Sequence, residues 1–210
     1  MLYHRDTLTV ASRLVSKDDC RPALQGVHVK GGMVQVTDGH QLTRFHANGA
    51  PPVSEFPTTV PSVEPLGPED SAVLTVESIK LAVAATPKRH MLPVLENVLV
   101  GNGTEGHVTL AATNLDSSHV GQHRVIDMQF PDCEKVFPVG NPVLTIGMDA
   151  ALMAKVFGQL ATLSENKAAP ALVTLRFYGP GKAMSFEFQG KHGKIDGLIM
   201  PCKLPDPTKV

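Results

Sequence analysis

Three segments of the 210-residue chain open alike and are followed by a similar succession of patterns. They are Leu8-Thr9-Val10, Leu74-Thr75-Val76-Glu77 and Leu144-Thr145-Ile146-Gly147, each ahead of a helical stretch and then paired strands. A repeat at this interval constrains the fold more than any single motif, because each unit must bury its apolar face against another. The expected organisation is three βαβ-type units: 1–70 with a Pro-rich linker, 71–140, and 141–210 with a C-terminal tail.

The pattern inside each unit is readable. In the second, Ile79, Leu81, Ala82, Val83 and Ala85 give one apolar helix side, which Pro87 ends. Pro93 to Val100 and His107 to Thr113 read as strands around a Gly101-Asn102-Gly103-Thr104 turn, and His119 to Asp127 as a third. In the third unit Asp149 is an N-cap for a helix carrying Leu152, Val156, Leu160 and Leu163. Val173 to Tyr178 and Met184 to Phe188 form a hairpin across Gly179 to Lys182, and Gly197 to Met200 is a closing strand. The first unit has a short helix over Leu8 to Leu14 and a hairpin of Gly26 to Lys30 with Met33 to Thr37. Residues 48–73 hold six prolines and read as a linker or irregular edge, with Thr58-Thr59-Val60 as a candidate edge strand.

A chain that is 42% hydrophobic and 19% charged fits a soluble globular protein. No apolar run is long enough to span a bilayer, and Met1 to Asp6 lacks a signal-peptide core. Three cysteines, Cys20, Cys133 and Cys202, without a CxxC pair fit a reducing compartment, so a cytoplasmic location is expected. Net charge is −1, which gives no bulk reason to expect nucleic acid. Only the last third is net basic.

Catalytic signals are sparse. Asp38 and His40 are spaced to share a metal, yet Asp38-Gly39 is also ordinary turn chemistry at a strand end. His28, His46, His90, His107, His119, His123 and His192 are scattered. There is no nucleophile elbow, P-loop or dinucleotide fingerprint. Neither cofactor nor metal is expected, and the chain reads as a non-enzyme.

Three separated segments carry a sharper signal: Thr37-Asp38-Gly39-His40-Gln41-Leu42, Phe130-Pro131-Asp132-Cys133 with Val136 and Pro138, and Met200-Pro201-Cys202-Lys203-Leu204. In this order they resemble the stretches that build the partner-peptide groove of the bacterial DNA polymerase III beta subunit, the replicative sliding clamp. Gln41 stands where that family has Arg, and Lys203 keeps a charge without the guanidinium fork. Leu92 to Leu99 with Ala112-Thr113-Asn114-Leu115-Asp116 is similar to the opening unit of the family's first domain. Both likenesses hold together if every unit descends from one module.

The resemblance implies an α+β fold of repeated βαβββ-type units, with short helices packed on antiparallel sheets, in a shortened clamp. It implies a peptide groove of Thr37, Gly39, His40, Gln41, Leu42, Pro131, Lys135, Val136, Ile199, Met200, Pro201, Lys203 and Leu204. For Ile199 and Val136 a plain core role is an equal reading. Arg13, Lys17, Lys80, Lys88, Arg89, Lys155 and Lys167 are the candidate DNA contacts, against the alternative of solvated helix faces. The implied partners are duplex DNA bound without sequence preference, clamp-binding peptides of a polymerase, and further copies of the chain in a ring of three or four. The implied function is a processivity factor that tethers a replicative polymerase. A clamp-derived adaptor or inhibitor without a ring is the runner-up, and a small hydrolase stands third.

Overall fold

Strand β1 (Leu2–His4) runs straight into helix α1 (Arg5–Ala11), and β2 (Val27–Lys30), β3 (Met33–Thr37) and β4 (Leu42–His46) follow. The succession recurs as β5 (Ser71–Leu74), α2 (Val76–Ala84), β6 (Asn97–Asn102), β7 (His107–Thr113) and β8 (Ser118–Arg124). A computed structural model describes residues 1–47, 50–57, 63–164, 169–179 and 181–204. It divides the chain into two units, Met1–Phe137 and Pro138–Val210.

Each helix starts where an extended residue turns its side chain onto a free backbone N–H. His4 Nδ1 accepts from Asp6 N at 3.2 Å, and Thr75 Oγ1 accepts from Ser78 N at 3.1 Å. The structural counterpart of Leu74-Thr75 in the first repeat is therefore Tyr3-His4, and Leu8-Thr9-Val10 lies inside α1. Strand β1 is too short to display the alternation that marks a strand in sequence, so the first repeat begins earlier than its apolar pattern suggests.

The two repeats complete one another. All pairings are antiparallel, and the sheets run β1-β6-β7-β8 and β4-β3-β2-β5. Each pre-helix strand thus leaves its own repeat to border the other repeat's sheet: Leu2 pairs with Leu99, and Leu74 with Val27. The inward residues of both sheets and the buried faces of α1 and α2 form one core, including Leu8, Ala11, Val27, Val36, Ile79, Ala82, Val98 and Leu110. That shared core makes residues 1–137 one compact body.

The Pro-rich stretch is a strap rather than a free linker. Pro65 bridges Gly101, Asn102 N donates to Glu64 O at 2.7 Å, and Phe56 packs with Leu2, Leu95 and Leu99. Gly101 permits this approach, since a Cβ there would lie 2.4 Å from Glu64 O. Proline suits an edge because it has no N–H to give a ladder. The candidate edge strand at Thr58-Thr59-Val60 lies outside the described residues.

In the second unit, Asp149 caps α3 (Ala150–Thr162) through Ala151 N and Leu152 N. Strands β9 (Val173–Arg176), β10 (Met184–Gly190) and β11 (Gly193–Ile199) form an antiparallel sheet in the order β11-β10-β9. Its core is Leu160, Met184, Phe186, Phe188 and Ile199, with Phe157 edge-on to Phe186 at 6.0 Å. The closing strand starts at Gly193, earlier than its apolar end implies, and stops before Met200. Pro180, in the expected turn, is outside the described residues.

Candidate functional site

The Thr37–Leu42 segment is a tight β3–β4 turn held by its own side chains. Thr37 Oγ1 donates to Gln41 O at 2.6 Å and accepts from Gly39 N at 3.1 Å. Asp38 Oδ1 accepts from His40 N and Gln41 N, each at 2.9 Å, and those bonds hold its carboxyl below the usual carboxylate range. Gly39 sits at φ 93°, the left-handed region that glycine enters without penalty. Gln41 Nε2 donates to Leu14 O at 3.0 Å, so this side chain ties the turn to the chain leaving α1. His40 is exposed. One Asp38 carboxylate oxygen is thus engaged by backbone, and no cluster of three metal-ligating side chains occurs among the described residues.

The second segment folds against the same sheet. Phe130 stacks on His28 with ring centroids 4.7 Å apart, and Leu42 packs with Val73, Phe130 and Cys133. A 3₁₀ turn over Cys133–Val136 is capped by Asp132, whose carboxylate also meets Lys135 Nζ at 3.0 Å. Arg44 of β4 reaches Glu134 at 2.5 Å and lies 3.4 Å over the Phe137 ring. Pro131 and Val136 remain exposed. Thus the structure brings Leu42 and the 130–137 segment together, with Arg44 as the clasp. Arg44 was not a sequence expectation: nothing local links it to a glutamate ninety residues away.

Two clefts adjoin this region. One of about 770 Å³ lies between β2 and the 125–134 segment, lined by His28, Lys30, Gln35, Phe130 and Pro131. The other, about 470 Å³, is lined by Arg13, Lys17, Asp38, His40 and Gln41. Two candidate DNA contacts therefore share a cleft with the turn.

The third groove segment belongs to the second unit. Ile199 is 2% exposed in that unit's core, so its side chain fills a core position there. Met200 and Leu204 are exposed, Pro201 is half-buried, and Lys203 is exposed. Cys202 N donates to Gly147 O at 2.8 Å, which fixes the chain between them.

Of the remaining cations, Lys80 and Lys88 border a shallow cleft between α1 and α2, beside Arg5. Arg89 follows in the loop after α2, and Lys155 lies on α3. Arg13, Lys17, Lys80, Lys88, Arg89 and Lys155 are all exposed, and none forms an ion pair among the described residues. Lys167 lies outside the described residues.

The fold is found in solved structures. The chain superposes on the DNA polymerase sliding clamp of Bacillus subtilis with a TM-score of 0.65 at 15% identity, covering 97% of this chain and 49% of that one. For the DNA polymerase III beta chain of Streptococcus pneumoniae the TM-score is 0.63 at 14% identity, with the same coverage. The fold is that of a sliding clamp. The beta subunit of Pseudomonas aeruginosa agrees, at a TM-score of 0.60 and 18% identity. The chain spans about half the length of the solved clamps it matches. No family model and no curated protein sequence matches it. No helix among the described residues is long and apolar enough to cross a membrane.

Proposed function

We propose that the chain is a non-catalytic clamp of the sliding-clamp type, which holds duplex DNA loosely and tethers a polymerase. The observation that carries this reading is the clamp fold, with the exposed Lys80 and Lys88 at the α1–α2 cleft and Arg89 in the loop after α2, none of them in an ion pair among the described residues. Mobile lysines that meet phosphates, and no base edges, neutralise charge without reading sequence, so bound DNA can slide. Self-assembly into a ring of three or four chains is part of the proposal. The test is retention on closed circular DNA. Charge reversal of Lys80, Lys88 and Arg89 together should release the protein and flatten the salt dependence of binding. Unchanged retention would remove these side chains from any DNA face.

The contact of Leu42 with Phe130 and Cys133 supports a second reading, a peptide-binding adaptor. A Leu- or Phe-bearing peptide from a replicative polymerase would use the exposed Val136 as an apolar anchor on the first unit, and the exposed Met200 and Leu204 are the corresponding candidates on the second, taken by itself. Calorimetry with Val136→Glu and Met200→Glu tests both positions. Loss of peptide binding with DNA retention intact would favour the adaptor, and equal affinity in both variants would leave these residues outside any groove.

A further inference from the structure

We propose that the α3–β9 margin of residues 138–204 is a self-association surface, filled by the same margin of a second copy of the chain. The proposal rests on the proposed self-assembly and names one of its interfaces, the one that pairs chains, so it selects the four-chain ring, built from two pairs, over the three-chain one.

The first two repeats show what this module needs. In each, the strand after the helix is bordered by the other repeat's pre-helix strand: β5 on β2 and β1 on β6. Under that cover, Val27, Val29, Val98 and Val100 are all 0% exposed. The third repeat has the same succession but lacks the cover. Among the described residues, no strand pairs the outer edge of β9. Leu175 faces inward, opposite Phe186 in the register, yet is 37% exposed. Leu172, just before β9, is 79% exposed, and Phe177, just after it, is 44% exposed. On α3, Leu152 is 40% exposed, and Leu160 is the helix's one buried residue.

The missing piece is also present. Val143 to Gly147 occupies the pre-helix position, and among the described residues its one ladder contact is the bridge from Gly147 to Cys202. The segment is uncharged, includes the β-branched Val143, Thr145 and Ile146, and leaves Val143 fully exposed. An unpaired edge and an unpaired segment of strand-forming residues within one module satisfy each other in a two-fold pair, where each copy lays its 143–147 segment along the other's β9 edge. The only charge on β9, Arg176, is taken up by Glu187 at 3.2 Å, so the edge carries no unpaired charge to oppose the mate. A partner of this kind repeats, between chains, the exchange that β1 and β5 make within one.

The association needs no DNA, and its test uses the 210-residue chain alone. Sedimentation equilibrium should show a reversible dimer or a multiple of it. Leu175→Glu and Leu152→Glu should each weaken association at least tenfold, whereas Leu198→Glu, an exposed site on β11, should not. Hydrogen exchange on the unaltered chain gives a readout that no misfolded variant can blur. Amides of 143–147 and 173–176 should gain protection as protein concentration rises. A monomer at every concentration overturns both the self-assembly and this interface. Association that survives both glutamates, without concentration-dependent protection of these amides, leaves self-assembly standing and overturns the interface.

Discussion

The Thr37 turn has a twin. Thr113 Oγ1 donates to Ser117 O at 2.9 Å and accepts from Leu115 N at 3.0 Å, while Asn114 Oδ1 accepts from Ser117 N at 2.7 Å. These are the bonds of Thr37, Asp38, Gly39 and Gln41, transposed to the second repeat. Asp38-Gly39 was legible as a turn because glycine announces the left-handed position. At the twin that position is Leu115, at φ 74°, and nothing in a leucine announces it. A left-handed leucine costs about 1–2 kcal/mol. Leu115→Asn should therefore stabilise the fold by up to about 1 kcal/mol, read as a higher midpoint of urea unfolding, because Asn tolerates this conformation. An unchanged midpoint would mean that contacts of the half-exposed Leu115 offset the strain. Two histidines of the same unit make its stability depend on pH. Burial lowers the pKa of His28, partly opposed by its bond to Gln35 and reinforced by Lys30. Burial also lowers that of His123, with His119 3.0 Å away adding to the effect. As pH falls below the ordinary value of 6.5, the unfolded chain takes up these protons before the folded one. Stability is thus complete above that value and declines below it. Replacing both histidines by Gln should flatten the decline in urea melts between neutral and mildly acidic pH.

Elements with strong local signals were readable. Helix α3 was, since Asp149 and the Leu152-Val156-Leu160 spacing mark its cap and its face, and so was the β9–β10 hairpin. Elements defined by distant partners were not. Pro93 to Glu96, within an apparent strand, forms a 3₁₀ turn: Pro93 starts it, and Asn97 Nδ2 closes it by donating to Pro93 O at 2.9 Å. The strap over residues 63–66 is visible only once β6 offers its edge. For the candidate site, the local turn was legible, but the packing of Leu42 on Phe130 and the Arg44 clasp depend on the sheet between them. Asp149→Ala removes both capping bonds of α3 and should cost about 1 kcal/mol in the second unit. Arg44→Ala should speed proteolysis after the 133–137 segment and raise hydrogen exchange there, while β2 and β3 remain protected. Equal protease sensitivity would show that Phe130 and Cys133 suffice to hold the segment.

At the scale of the chain, repetition explains both what is finished and what is open. Residues 1–137 contain two repeats whose strands and core are shared, so their unfolding should be one cooperative transition. Among the described residues, 138–204 contain a smaller core of five buried apolar side chains beneath a three-stranded sheet whose edges, β9 and β11, are both unpaired. Less apolar surface removed from water means less stability to set against the same entropy per residue. Scanning calorimetry of the whole chain should therefore show two transitions, the lower one belonging to 138–204. Anything that binds only the folded state raises its midpoint with concentration. If a second copy covers the β9 margin, the lower midpoint should climb as protein concentration increases, while the upper one stays fixed. Leu175→Glu should abolish that climb without moving the upper transition. One concentration-independent transition would mean that the third repeat draws its stability from some source other than a second copy.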